Sequence, residues 1–327
     1  MKKLKKDDYK KIVLILLLII IYVLCITNFL DSFYGSTVDW DCQHFSIPDY
    51  FRKLFYETGN LIPNFAFNLG NGQNIFYYSY YGLLNPIILI SYFLPFIEMI
   101  DYIQISLIII VFISCILLYK WLLNKYNSSI AFFSTIVYLT ITPVLFHSHR
   151  HIMFINYMPF LILSLIGVDK YFMENKRCLL IISVFLLIMT SYFFSVGSIF
   201  VITVYGLYNF IKNNKNINFK LFARETVKFL IPIIVGILMG MIIILPTLYV
   251  ILSGRADSNV NINFFNLIIP NLKILNLFYS SYSPGLNALI LISIIYIYIV
   301  FFTRTKNFSS WFYLLPCFFF SQFLLIF

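Results

Sequence analysis

Apolar residues run along this chain in long unbroken stretches separated by short polar connections, and the first stretch, Ile12 to Leu30, follows a segment dense in lysine. A helix crosses a bilayer with about 20 mostly apolar residues, because the hydrocarbon is roughly 30 Å thick and each residue rises about 1.5 Å. On that criterion the pattern predicts spans near residues 12–30, 102–123, 130–146, 152–168, 178–195, 196–211, 229–252, 286–303 and 310–327. The expected fold is all-α, a polytopic integral membrane protein forming a single transmembrane domain. The first run is long for a secretory signal and no small-residue cleavage site follows it, so it is read as an uncleaved span. Phe327 ends inside an apolar run with no polar cap, so the sequence is expected to be a fragment truncated at its carboxy terminus.

Leu83 to Phe96 is apolar but short, and it carries Pro86 and Pro95. If it crossed, the positive-inside rule would be inverted, with Arg150, Arg255 and Lys273 inward and a larger set outward: Lys120, Lys125, Lys170, Lys176, Arg177, Lys212, Lys215, Lys220, Arg224, Lys228, Arg304 and Lys306. If it stays at one surface, this larger set is cytoplasmic together with the amino terminus. The segment 83–96 is therefore predicted to be re-entrant or interfacial, inside a long outer loop covering 31–101. In this register the outer face collects Asp31, Asp39, Asp41, Asp49, Glu57, Glu98, Asp101 and Asp257, and also His44, His147, His149 and His151. The cytoplasmic loops are short and basic and read as topology signals only. No predicted span carries an ionisable residue in its central part, which argues against ion-coupled transport.

Composition agrees with this picture: 61% of residues are hydrophobic, 11% charged, and the mean hydropathy is +0.89. An ordinary soluble domain has about 25% charged residues, so a water-soluble core is excluded. The net charge of +10 is assigned to membrane orientation, and no nucleic-acid partner is expected. Of the five cysteines only Cys42 falls plausibly outside the apolar runs and their ends, so no disulfide framework is implied.

The outer loop is chemically dense. Asp49 to Tyr56 places apolar residues at helical spacing with Arg52 and Lys53 opposite, the pattern of a short helix lying on the membrane surface. Asn68 to Gly82 reads as a loop rich in Gly, Asn and Tyr. Asp39 and Asp41 share a face if extended, where they can hold a divalent metal or share a proton. His147, His149 and His151 share one side if extended; they lack a nearby fourth zinc ligand, so no metal ligand is assigned. Arg150 among these histidines is the densest cationic cluster outside and suits a phosphate. Arg255 follows the flexible Ser253-Gly254 pair and can reach a lipid phosphate or act as an interfacial anchor. Tyr80 and Tyr81, with Tyr77 and Tyr78, can stack on a sugar ring or populate the interface.

Four elements carry a family resemblance: Asp39-x-x-x-Gln43 after the first span, Asn68-Leu69-Gly70-Asn71-Gly72, the Tyr80-Tyr81 to Pro86 region, and Leu252-Ser253-Gly254-Arg255-Ala256. On these the sequence resembles the bacterial YfhO family of membrane proteins, of the glycosyltransferase C superfamily, over the whole chain. The resemblance implies a glycosyltransferase C-like helical bundle that moves a sugar from a polyprenyl-phosphate carrier to an extracellular acceptor such as teichoic acid or another cell-envelope polymer. It also implies an acidic catalytic residue in the first outer loop, which is Asp39 here, and a large outer carboxy-terminal region beyond these residues. Asp39, with Asp41 beside it, is thus the expected catalytic centre, and an inverting mechanism is presumed. Gln43, His147, His149, Arg150, His151, Arg255, Tyr80 and Tyr81 are the expected substrate contacts. The expected location is the cell membrane, with a cytoplasmic amino terminus and an extracellular active site. A lipid or polymer transporter and a non-catalytic assembly partner are the competing readings.

Overall fold

The computed structural model describes residues 4–30, 35, 39–70, 72–140, 144, 147, 148, 150–214 and 218–255, without the side chains of 25–30, 254 and 255. The expected spans 286–303 and 310–327 lie outside the described residues. Among the described residues, Met99–Leu123, Ile152–Glu174, Tyr192–Asn213 and Phe219–Ser253 are each long and apolar enough to cross a membrane. Apart from one small hairpin, the regular structure there is helical. The fold is that of an all-α membrane protein.

Helix α1 (Lys6–Leu30) opens with Asp7 and Asp8 in its first turn, where negative charge suits the helix dipole. Asp8 is buried, and its carboxylate accepts from the Lys5 N–H at 2.8 Å, the Tyr119 hydroxyl at 2.7 Å and the Ser128 hydroxyl at 2.8 Å. These bonds fasten the start of α1 to the end of α4 (Met99–Leu123) and the start of α5 (Ser128–Thr140). The described part of helix α5 runs to Thr140, 13 residues and about 20 Å, and most of the remainder of the predicted span 130–146 lies outside the described residues.

Two pieces, α6 (Ile152–Ile155) and α7 (Met158–Glu174), make up the next long apolar stretch. Pro159 falls in the first turn of α7, where a missing N–H costs nothing. Helices α8 (Cys178–Thr190) and α9 (Tyr192–Asn213) divide at Ser191, whose backbone is extended, and not at the predicted boundary between 195 and 196. Helix α10 (Phe219–Val250) starts at Asn218, whose side chain caps the Leu221 N–H at 2.7 Å.

Two apolar cores result. One joins α7, α8 and α10; the other joins α1, α4 and α5. Gly236 and Gly240 lie four apart on α10, hence on one face, and meet Val184 and Ile188 of α8. A Cβ at Gly236 would stand 2.8 Å from Val184 Cβ and 2.9 Å from the Ile181 carbonyl oxygen, so the two backbones are in close contact. Small residues permit such approach where lipid supplies no hydrophobic drive.

Residues 39–98 fold against one end of this bundle. They comprise a π-helical turn (Trp40–His44), α2 (Ser46–Thr58), the antiparallel pair β1 (Phe65–Ala66) and β2 (Gln73–Asn74), a 3₁₀ helix (Ile75–Tyr81), α3 (Pro86–Ile90) and a second 3₁₀ turn (Ser91–Phe93). The predicted Asn68 to Gly82 loop is thus partly regular. Asn74 accepts from the Phe76 N–H to start the 3₁₀ helix, and Gly82 ends it at φ 106, a left-handed conformation natural to glycine. Within 83–96 the longest helix, α3, has five residues, about 8 Å, far below a membrane crossing. Asn85, fully buried, caps α3 through Ile87 N–H and donates to the Thr190 carbonyl at 3.1 Å, while Ser79 and Thr247 hydroxyls meet at 2.9 Å. Ala66, Ile75 and Leu83 enter the α7–α8–α10 core, and Trp40 and Ile88 enter the other, so the segment bridges both.

One expectation about α2 is overturned. Arg52 does not face away from the apolar side: it is buried beside Ile47, Pro48 and Phe51. It donates to the Ile97 carbonyl at 2.9 Å and to Asp49 at 3.1 Å, and Asp49 also pairs with exposed Lys53 at 2.7 Å. A buried guanidinium persists only with such partners. Here it locks α2 to the approach of α4.

Candidate functional site

Asp39 heads the π-helical turn with φ 63, in the left-handed region, and is exposed. That conformation is costly for most residues and least so for short polar ones such as Asp. Its backbone carbonyl accepts from the Gln43 and His44 N–H groups at 2.9 and 3.0 Å, and Oδ1 accepts from Gln43 Nε2 at 3.0 Å. Gln43 Oε1 in turn accepts a short hydrogen bond from the Tyr81 hydroxyl. The chain Tyr81–Gln43–Asp39 therefore holds the carboxylate from one side and fixes which way Gln43 points.

The same turn carries His44 into the fold. Its ring is buried, with its centroid 4.5 Å from that of His151 and 6.0 Å from Tyr81. His147 and His151 approach Nδ1 to Nδ1 at 3.3 Å, and His147 stacks on Phe154 at 4.5 Å. The His151 N–H donates to the His147 carbonyl at 3.1 Å, so these two histidines meet across a helical turn and not along the predicted extended strand. His149 lies outside the described residues. Arg150 sits between the two histidines in sequence and acts on His151 by its charge.

Burial, then the neighbouring His151 and His147, pushes the His44 imidazole down to about 3. Burial also lowers His151, helped by Arg150 and opposed by Asp39. These two rings are accordingly neutral near pH 7. Fixed positive charge for a phosphate then comes from Arg150, with the imidazoles as neutral donors or acceptors.

Other predicted contacts behave differently. Tyr80 is pushed up by burial, then by Tyr81 and Tyr192, and its ring lies edge-on to Tyr81, Tyr192 and Phe193 at 5.3, 6.4 and 6.1 Å. Its ring thus packs among aromatic neighbours. Asp41 is exposed, but residues 40–44 are wound, so Asp39 and Asp41 do not share the face that an extended strand would give them. Among the described residues no group of three or more His, Cys, Asp or Glu side chains is arranged to hold a metal ion. Arg255 ends the π-helical turn Ile251–Arg255 after α10; its side chain lies outside the described residues.

The model of the bacterial membrane protein YfhO family matches residues 11–327. The chain belongs to the YfhO family. No curated protein and no solved structure matches it. In this YfhO protein His44, which carries no expected role, is the most deeply buried of the described histidines. Its adjacency to Gln43 was the available signal: any turn that aims Gln43 at Asp39 sends the next side chain elsewhere, here inward.

The opposite end of the YfhO bundle holds more than loops. Asp169 accepts from Trp121 Nε1 at 2.7 Å and from the Tyr205 hydroxyl at 2.5 Å, and pairs with Lys125 at 2.8 Å. Lys125 Nζ lies over the Trp121 and Tyr205 rings at 5.1 and 5.3 Å. This clamp joins α4, α7 and α9, which corrects the reading of those connections as topology signals alone.

Proposed function

We propose that this YfhO protein is a membrane glycosyltransferase that moves a sugar from a polyprenyl-phosphate-linked donor to an extracellular acceptor, such as teichoic acid or another cell-envelope polymer. The supporting observation is Asp39: an exposed carboxylate in strained left-handed backbone, held by Gln43, at the same end of the helices as Arg150 and the imidazoles. Backbone strain maintained beside a polar cluster is a common property of reaction centres. Apolar helices next to that cluster suit a donor whose anchor stays in lipid while its sugar meets water.

In the reaction, Asp39 accepts the proton of the acceptor hydroxyl as that oxygen bonds to the anomeric carbon. The anomeric carbon–oxygen bond breaks, and polyprenyl phosphate departs with the electron pair. Arg150 offsets the charge on the departing phosphate, and His149 and Arg255 are assigned to the same phosphate. The basic end, with the amino terminus, is cytoplasmic, and Asp39 is extracellular.

Asp39→Asn retains shape and removes the base. In vesicles containing the purified protein, a polyprenyl-phosphate sugar and acceptor, the variant is expected to lose about 10²- to 10⁴-fold in rate. Unchanged sugar incorporation eliminates the assigned role.

A further inference from the structure

Three imidazoles packed together next to a permanent cation form an unusual arrangement for a site meant to receive an anion. His44 contributes a buried ring whose Nδ1 has no hydrogen-bond partner among the described residues. His147 and His151 oppose each other through Nδ1 atoms 3.3 Å apart, a separation that accommodates one proton between two nitrogens and not two. The charged groups acting on His151 are Arg150, from its own turn, and Asp39, from the π-helical turn packed against it. His44 faces His151 and His147, and Tyr81 lies edge-on to it from the 3₁₀ helix. Arg150 disfavours a second positive charge here, and Asp39 favours one. Burial, the largest influence, acts with Arg150, so the His151 ring rests neutral, and a bound anion would add to the side of Asp39.

We propose that this histidine cluster takes up a proton, on His151, when the phosphate of a lipid-linked sugar donor binds beside Arg150. The inference rests on the phosphate reading of the site made above and adds to it a coupling between donor binding and proton uptake. The bound anion screens His151 from Arg150 and pairs with the imidazolium, which raises the His151 pKa in the complex. By linkage, donor binding is tightest at low pH and weakens as pH rises through the value His151 has in the complex. Departure of the polyprenyl phosphate leaves the proton on a group that can return it. Asp39, which receives the acceptor proton, thus has a titratable neighbour whose charge follows occupancy of the donor site.

The test uses the whole chain in detergent micelles and a farnesyl-phosphoryl glucose, a phosphodiester that does not itself titrate near neutrality. Calorimetric titrations at pH 6.5, 7.0, 7.5 and 8.0 are run in PIPES and in Tris, whose ionisation enthalpies differ. The expected result is a binding heat that differs between the two buffers, with net uptake approaching one proton. Affinity should fall by up to about tenfold per pH unit over that range. His151→Gln, a neutral hydrogen-bonding substitute, is expected to bind more weakly, with equal heats in both buffers. Binding with equal heats and no pH dependence in the unmodified protein overturns the coupling and leaves the phosphate reading intact. Absence of any binding overturns both. Buffer-dependent heats that persist in His151→Gln overturn the assignment to the cluster through His151.

Discussion

At the scale of single residues, the outcome depends on how each polar side chain escapes the cost of burial. Asp8, Arg52 and Asn85 are all buried in a chain where charge is scarce, and each is hydrogen-bonded to at least two partners. Burial works to raise the Asp8 carboxyl, but the Lys5 N–H, Tyr119, Ser128 and Lys11 together outweigh it and hold the group below its usual range. The sign follows directly: a carboxylate depressed in the folded state stabilises the protein above its ordinary titration range, and that stability disappears as pH falls through the folded value. Asp8→Asn is expected to destabilise the protein by about 1–3 kcal/mol at pH 7, with the deficit relative to the unmodified chain vanishing in acid. Thermal unfolding of both proteins in detergent, from pH 7 down to below the ordinary carboxylate range, measures this; a deficit that persists unchanged below that range would refute it. Arg52 illustrates the limit of reading a helix by spacing alone, because it turns in among the buried apolar residues to reach an acceptor, the Ile97 carbonyl, 45 residues away.

At the scale of elements, close backbone contact between α8 and α10 is set by glycine, and the two glycines are not equivalent. A methyl at Gly236 meets the Ile181 carbonyl oxygen, which cannot move without its helix, whereas the atoms nearest a methyl at Gly240 belong to the Ile188 side chain, Cγ2 at 2.7 Å and Cβ at 3.1 Å. Gly236→Ala is therefore expected to cost about 1–3 kcal/mol, and Gly240→Ala less, since a side chain gives way more readily than a backbone carbonyl. Unfolding midpoints in a denaturant series give the ranking, and equal losses would contradict it. The predicted span 102–123 matches the end of α4 and misses its start by three residues, whereas the predicted span 152–168 stops six residues short, because α7 continues past Asp169 and Lys170 to Glu174. The break at Ser191 was not legible, since the residues on either side are equally apolar and the interruption comes from backbone conformation at one residue. The 3₁₀ helix 75–81 and the hairpin before it were hidden for the same reason: their caps, Asn74 and Gly82, look like loop residues until their hydrogen bonds are known.

At the scale of the whole molecule, the two ends of the bundle differ in chemistry. The start of α1, the end of α4, the Asp169 clamp and the start of α10 share one end, and Asp39, the histidines and α2 share the other. Two exposed native thiols mark these ends, Cys42 beside Gln43 and Cys178 at the head of α8. With the other cysteines replaced, a membrane-impermeant maleimide applied to intact cells should label a chain retaining only Cys42 and spare one retaining only Cys178. The reverse pattern would invert the proposed orientation and place Asp39 in the cytoplasm.

The amino-acid sequence alone determined that this is a helical membrane protein, that its first 30 residues begin with a basic flank and end in an apolar run, and that acids and histidines gather in the same connections. Those properties are one-dimensional: hydrophobic run length and charge placement are set locally and need no partner to be read. Only the tertiary structure decided that His44 joins His147 and His151, that Arg52 turns inward, that Gln43 links Tyr81 to Asp39, and that Asp169 clamps three helices. Each of these joins residues far apart in the chain or depends on a single unusual backbone angle. In a medium where polar groups must find protein partners, which residues meet is settled by the packing of whole helices, and helical periodicity leaves that undetermined.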